Sequence, residues 1–258
     1  MKIKAGPDWF ENEEFWLKYK PLMFDRDREE DTGLEVDAML KLAGAKESLA
    51  VLDVCCGYGR HDMFFAKKGH KVCGTDISSV YLDQARADAA RQGLDIEFIK
   101  TDARDFVRKG EFDLAVNYFS SFGYFEESED DLKLARNVYD SLKPGGIFLI
   151  ETRSKETACL QFKEREWFQR DGFIIILEYK LIDACTKMRN RWLFIGDSHQ
   201  PGDELTEVEY DIRLYSALEM GMLLSEAGFD EIEFYGGIDG REFDHNAETM
   251  VALARKLK

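Results

Sequence analysis

From residue 50 onward the hydrophobic positions fall into short solid runs separated by polar stretches at helical spacing. Strands buried on both faces of a sheet, alternating with helices that cover them, have this pattern. Strands are predicted from Val51 into Asp53, over Lys71–Asp76, Ile96–Lys100 and Phe112–Phe119, and over Ile147–Glu151 after a turn at Pro144-Gly145-Gly146. Helices are predicted from Met63 to a stop at Gly69, from a Ser78 or Ser79 cap to about Arg91, and over Leu132–Leu142. That is the alternation of a parallel, doubly wound α/β sheet. From about Glu164 the period shortens to two residues, and Trp167–Arg170, Phe173–Ile182, Lys187–Ile195 and Leu205–Leu214 predict antiparallel strands. They are joined at Asp171-Gly172, at Asp183 to Cys185 and by a Gly196 to Asp203 loop. Met188, Trp192 and Phe194 share a predicted face with Tyr210, Ile212 and Leu214. Arg189, Arg191, Glu209, Asp211 and Arg213 form a solvated ladder on the other. Ser216 to Glu219 is a capping box opening a helix that stops at Gly228, and strands follow at Glu231–Tyr235 and Thr249–Arg255.

The amino-terminal 32 residues do not fit this grammar. Trp9, Phe10, Phe15, Trp16, Tyr19 and Phe24 are interspersed with charges and interrupted by Pro7 and Pro21, which predicts short pieces forming a mobile arm over residues 9–24. Leu34, Val36, Met39, Leu40 and Leu42 then give one helix ending near Gly44.

Candidate chemistry concentrates where the first strand ends, in Asp53-Val-Cys55-Cys56-Gly57-Tyr-Gly59-Arg-His-Asp62. Gly57 and Gly59 suit a turn where backbone must approach a ligand or take positive φ, and the following helix start offers unpaired N–H groups. A dinucleotide fingerprint would carry a third glycine at position 62, where Asp62 stands, so the spacing disfavours a nicotinamide oxidoreductase. A second acid, Asp76, ends the next strand nineteen residues beyond Gly57, where acids bond ribose hydroxyls.

D-x-x-x-G-x-G with the acid at the strand end resembles motif I of the class I S-adenosylmethionine-dependent methyltransferases. The Gly-His-x-Val-x-Gly-x-Asp-x-Ser run, Phe112-Asp113 and Leu142-Lys-Pro-Gly-Gly146 extend the likeness over nearly the whole chain. The resemblance implies a Rossmann-like seven-stranded doubly wound sheet with an inserted antiparallel β lid, all one methyltransferase domain. Its parts are an arm (1–32), a core (33–152 and 214–258) and the lid (153–213). It also implies that S-adenosylmethionine is the cofactor and S-adenosylhomocysteine its product. Cofactor-binding positions carried over are Asp53, Cys55, Gly57, Gly59, Asp76, Ile77, Asn117 and Phe119, with Asp102 and Ala103 at the adenine and Tyr19 reaching over from the arm. Three blocks, Phe119–Tyr124, Val208–Leu214 and Gly236–Arg241, are similar to the deoxyaminosugar N,N-dimethyltransferases. In those enzymes a histidine considered as base stands where this chain has Tyr124. An unperturbed phenol is a poor base at neutral pH, so Tyr124 is expected to orient the acceptor. Glu151 and Arg241 match the same enzymes and complete an expected acceptor site of Tyr124, Glu151 and Arg241. The competing reading of Glu151 is a solvated strand-end acid paired with Arg153.

A formal net charge of -16 opposes a nucleic-acid partner and favours a small-molecule methyl acceptor, nitrogen or oxygen. The five cysteines and four histidines lack metal-ligand spacing, so reduced buried thiols, a surface His61 and no metal are expected. No apolar segment is long enough to span a bilayer, and the expected compartment is the cytoplasm. The alternative function is a non-catalytic cofactor-binding or dimerisation module, its long antiparallel strands pairing two copies in a homodimer.

Overall fold

The computed structural model describes residues 2–4, 9–23, 26–45, 47–170, 173–196 and 206–257. The predicted turn at Asp171-Gly172 and most of the Gly196 to Asp203 loop lie outside the described residues, as do Pro7, Phe24 and Leu205.

Strands β1 to β12 are Lys2–Lys4, Ala50–Val54, Lys71–Asp76, Ile96–Lys100, Phe112–Asn117, Leu142–Thr152, Arg165–Arg170, Phe173–Ile182, Lys187–Gly196, Thr206–Arg213, Glu231–Tyr235 and Met250–Arg255. Helices α1 to α7 are Glu13–Met23, Arg26–Leu42, Arg60–Lys67, Ser79–Gln92, Ser128–Ser141, Lys155–Leu160 and Ala217–Ala227. Seven strands form the core sheet in the order β11-β12-β6-β5-β2-β3-β4. The chain starts at β2, steps outward through β3 and β4, then returns to β5 on the other side of β2. At that reversal the loops leaving β2 and β5 part, and a crevice opens at the carboxyl ends of the strands. Val51, Leu52, Leu114 and Ala115 have no exposed surface, as the unbroken apolar runs require.

The local signals hold at most boundaries. Ser78 caps α4 by accepting from the Tyr81 N–H, and Ser216 with Glu219 forms the capping box of α7. Helix α5 starts four residues earlier than the apolar spacing indicates, because Glu129, Asp130 and Asp131 favour the positive end of a helix dipole. Pro144-Gly145-Gly146 is not a turn between elements: β6 runs through it, and the pairing with β5 shifts register there as a bulge.

The second sheet, β1-β10-β9-β8-β7, is the predicted insertion with one unforeseen strand, since Lys2–Lys4 pairs in parallel with Glu207–Glu209. Trp9, Phe10 and Phe15 are buried with Ile175, Trp192, Phe194, Val208 and Tyr210. Aromatic side chains bury roughly 150–250 Å² each, so at about 25 cal/mol/Å² these three contribute on the order of 10 kcal/mol before chain entropy is counted. Residues 9–23 are two short pieces, a 3-10 turn at Trp9–Glu11 and α1, packed into the lid through Trp9, Phe10 and Phe15. Helix α1 continues through Pro21, two residues from its end, where a missing N–H disturbs only the last turn. Most of the charge ladder faces outward as expected, with Arg189 bonded to Asp211 and Arg191 to Glu178 and Glu207, but Arg213 turns inward toward the buried Asp131 at 3.7 Å.

Candidate active site

Between the carboxyl ends of the core strands and the lid lies a cavity of about 580 Å³. At its floor the chain leaves β2 through Cys55, itself at φ 63°, into Gly57 at φ 59°. The Gly57 N–H donates to Asp76 Oδ2 at 2.8 Å, which fixes the turn against β3. A methyl group built on Gly57 would meet nothing nearer than the Tyr81 ring at 3.8 Å, so the backbone there is bare to the cavity. Gly59 is different: it does not line the cavity, and a methyl group on it would stand 2.9 Å from Phe98. Its glycine is required by helix-to-strand packing, not by ligand approach, and the sequence does not distinguish the two reasons.

Asp53, Cys55, Asp76, Ile77, Asp102, Ala103 and Phe119 line the same cavity. Asp53 is buried with its Oδ2 lacking any hydrogen-bond partner, and burial together with the neighbouring Asp76 charge pushes its carboxyl up to about 8, against the pull of Arg60. Asp76 is also raised by burial, although the Ser78 and Gly57 N–H groups oppose the shift. Asp102 is gripped by Arg104 at 2.6 Å; despite partial burial, that hydrogen bonding holds its carboxyl below the usual range. Asn117 does not reach the cavity. It is fully buried and donates to the Val54 carbonyl oxygen at 2.9 Å, tying β5 to the end of β2. Tyr19 lies on α1 with its side chain outside the described residues; from the same arm it is Phe10 and Trp16 that line the cavity.

His61, expected on a helix surface, is buried. The carboxylate of Glu35, on α2, accepts from Arg60 at 2.5 Å and meets His61 Nε2 at 2.9 Å, and the Thr32 hydroxyl takes a further Arg60 donor at 2.8 Å. Burial pushes His61 down to about 4, so it is neutral near pH 7. Arg60 and His61 both edge the cavity, placed there by a carboxylate twenty-five residues upstream that no short motif announces. Cys56 is a buried thiol, pushed well up by burial and the surrounding carboxylates, and Cys55 shifts the same way; both are poor nucleophiles. Cys159, by contrast with the expectation of buried thiols, is exposed. Among the described residues no His, Cys, Asp and Glu group is arranged to hold a metal, and no helix is long and apolar enough to cross a membrane.

On the far side of the cavity Glu151 sits at the end of β6. Its Oε2 accepts from the Phe119 N–H at 2.9 Å, and its Oε1 accepts from the Thr249 hydroxyl. Phe119 and Ser120 present these N–H groups from left-handed backbone, φ 76° and 58°, and Ser120 N–H reaches the Glu151 carbonyl oxygen at 3.1 Å. Such strain in two successive non-glycine residues costs on the order of 1–3 kcal/mol each and clusters at functional sites. Burial raises the Glu151 carboxyl above its ordinary value of 4.5, opposed by the Thr249 and Phe119 bonds. Arg153 does not pair with it. Tyr124 is partly buried beside Trp9, ring centres 4.7 Å apart, and desolvation drives its phenol further up. Arg241 is not part of this group: it is half exposed, bonded to Asp239 and Glu248, and absent from the cavity wall. The two-residue acid-arginine turn satisfies it locally.

Residues 51–146 match the family model described as a methyltransferase domain. A protein of Geobacillus sp. (strain WCH70), provisionally named a methyltransferase, is 26% identical over 227 residues, covering 86% of this chain and 90% of that one. Residues 51–146 of the chain form a methyltransferase domain, and the fold built around them is the class I fold. An S-adenosylmethionine-dependent methyltransferase from Clostridium acetobutylicum ATCC 824 superposes with TM-score 0.77 at 17% identity, covering 95% of this chain and 98% of that one. The sugar N-methyltransferase KedS8 from Streptoalloteichus sp ATCC 53650 gives TM-score 0.72 at 18% identity over 95% and 93%. The cavity suits S-adenosylmethionine, the cofactor named for the Clostridium protein: a bare Gly57 backbone and an unpartnered buried carboxylate oxygen on Asp53 match a zwitterionic, positively charged ligand.

Proposed function

We propose that this methyltransferase methylates an amine nitrogen of a small molecule held between the core sheet and the lid, with Glu151 receiving the proton of the acceptor. The observation that carries this reading is Glu151 itself: a partly buried acid, fixed by Phe119 and Thr249, in the wall of the cavity opposite the glycine loop.

On the cofactor side Asp53 would hold the ammonium, the bare Gly57 backbone would let the ligand approach, Asp76 and Asp102 would hold the nucleoside and Arg60 the carboxylate. When bound, S-adenosylmethionine supplies a methyl group on a good leaving group. The chain's own contribution is alignment and exclusion of water, which can lower a barrier by roughly 7–11 kcal/mol. Trp16, Phe10, Trp192 and Tyr210 give the cavity an apolar cover. Glu151 attracts the acceptor as an ammonium, takes one N–H proton to leave the lone pair free, and later passes that proton to water. Its raised carboxyl makes it a better base than an ordinary glutamate. Tyr124 orients the acceptor by its hydroxyl. The resemblance to a sugar N-methyltransferase supports a nitrogen acceptor through the fold alone.

Incubation with S-adenosylmethionine and a metabolite extract, followed by mass detection, should reveal one or more products heavier by a methyl group and retaining nitrogen. Methylation confined to hydroxyl compounds would overturn the amine reading. Cofactor binding should also be proton-linked. Asp53, raised to about 8, is largely protonated at neutral pH and must ionise to receive an ammonium. Affinity for S-adenosylhomocysteine therefore rises with pH and levels off above about 8. Calorimetry at pH 7 in buffers of different ionisation enthalpy should report proton release, and a buffer-independent heat would contradict the assignment.

A further inference from the structure

The lid half of the cavity contains a cation that the protein leaves unanswered. In a chain with 51 acidic residues, the arginines on the described surface are met by carboxylates, among them Arg104, Arg108, Arg189 and Arg191. Arg153 is the exception within the cavity. It follows β6 two residues after Glu151, on the same face and about 7 Å along the strand, so both side chains turn toward the lid. Its hydrogen bond among the described residues is to the Met188 sulfur at 3.8 Å, a weak acceptor that holds the side chain without neutralising it. Tyr179, on β8, lines the same corner, and its hydroxyl has no hydrogen-bond partner among the described residues. Asn190 stands directly across the strand pair from Tyr179, its amide already donating to the Met188 carbonyl oxygen at 3.1 Å. The acid in this neighbourhood, Glu166, is held by Lys163 at 2.8 Å.

A guanidinium and a phenol hydroxyl facing one corner of a cavity, both without an internal acceptor, form a donor pair for an anion. We propose that Arg153, with the Tyr179 hydroxyl, binds an anionic group carried by the methyl acceptor, a carboxylate or a phosphate. The proposal rests on the reading that the lid half of the cavity holds the acceptor. The substrate class becomes an amine bearing an anion, its nitrogen at Glu151 and its anion at Arg153. Neutral amines, lacking the second anchor, bind poorly. The outward charge ladder of the lid does not compete, because its arginines are satisfied on the opposite face.

The enzyme loaded with S-adenosylhomocysteine is titrated at constant ionic strength with potassium acetate and, separately, with inorganic phosphate, and its thermal midpoint is followed. Saturable stabilisation by one of the two is expected, and the one that acts separates a carboxylate from a phosphate. Arg153→Ala should weaken that binding by about tenfold or more, the loss of a charged hydrogen-bonded pair. Arg153→Lys should recover part of it, and Tyr179→Phe should weaken it less. Arg153→Ala must retain wild-type affinity for S-adenosylhomocysteine, which certifies its fold. No saturable shift with either anion, or equal shifts in wild type and Arg153→Ala, overturns the proposal. This readout needs no turnover, so it stands or falls apart from the amine assignment at Glu151.

Discussion

A Gly57→Val variant should fold and yet lose S-adenosylhomocysteine binding by about a hundredfold or more, each ~1.4 kcal/mol of lost contact being one factor of ten. The residue sits at φ 59° with cavity on its open side, so valine carries its branched side chain into the space the ligand needs. Two costs must be separated. A β-branched residue in left-handed backbone strains the turn by on the order of 1–2 kcal/mol, which lowers stability. Steric exclusion of ligand lowers affinity without regard to stability. Gly57→Ala separates them, since its single methyl group has 3.8 Å of clearance from Tyr81 but pays much of the same backbone strain. Alanine should bind better than valine while melting at a similar temperature. Calorimetry on both, with thermal denaturation as the control for folding, checks the outcome; unchanged affinity in folded Gly57→Val would remove the glycine loop from the cofactor site.

Glu151→Gln should reduce kcat by about 10² to 10⁴, the usual range for loss of a positioned acid or base, with cofactor affinity nearly untouched. Glutamine keeps a carbonyl oxygen for the Phe119 N–H, and its amide can donate to the Thr249 hydroxyl, so the local scaffold survives. What it lacks is a site for the acceptor's proton and a negative charge to attract an ammonium. In the wild type the acid limb of kcat/KM should lie above 4.5, because burial raises this carboxyl and only its ionised form accepts a proton. That limb should vanish in the variant. Equal loss of turnover and cofactor affinity would mean a structural role instead.

The sheet was legible because its central strands are buried on both faces. Lys71–Asp76 and Ile96–Lys100 end where the apolar runs end, and positive-φ glycines mark several boundaries. The lid was legible through its period of two. The arm was not, since the partners that bury Trp9 and Phe15 come from residues 175 to 210, and a pattern read along the chain cannot register packing across that distance. The site shows the same division. Asp53 and Gly57 follow from local turn chemistry, whereas the role of Glu35 in fixing Arg60 and His61 depends on where α2 crosses α3. Arg241 misled because a locally satisfied surface pair and a functional arginine have the same one-letter context. In the sequence Arg153 suggests only a partner for Glu151; its significance lies in the pairing it does not make.

The strand at Lys2–Lys4 and the aromatics at Trp9 and Phe10 are built into a sheet whose other strands end at Arg213. During synthesis Trp9 and Phe10 meet Tyr124 and Phe125 first, but the β1 pairing and their burial against Trp192, Val208 and Tyr210 come only after residue 209 is made. Trp9 and Phe10 therefore stay incompletely covered until the last strand of this sheet is made, and contacts of such long sequence separation are slow to form. The core sheet lacks β12 until residue 255 emerges, so neither layer is complete on a short nascent chain. Slower synthesis would prolong this exposure, and yield of active enzyme should depend on chaperones that shield Trp9 to Phe15 more than on those acting on the carboxyl-terminal half.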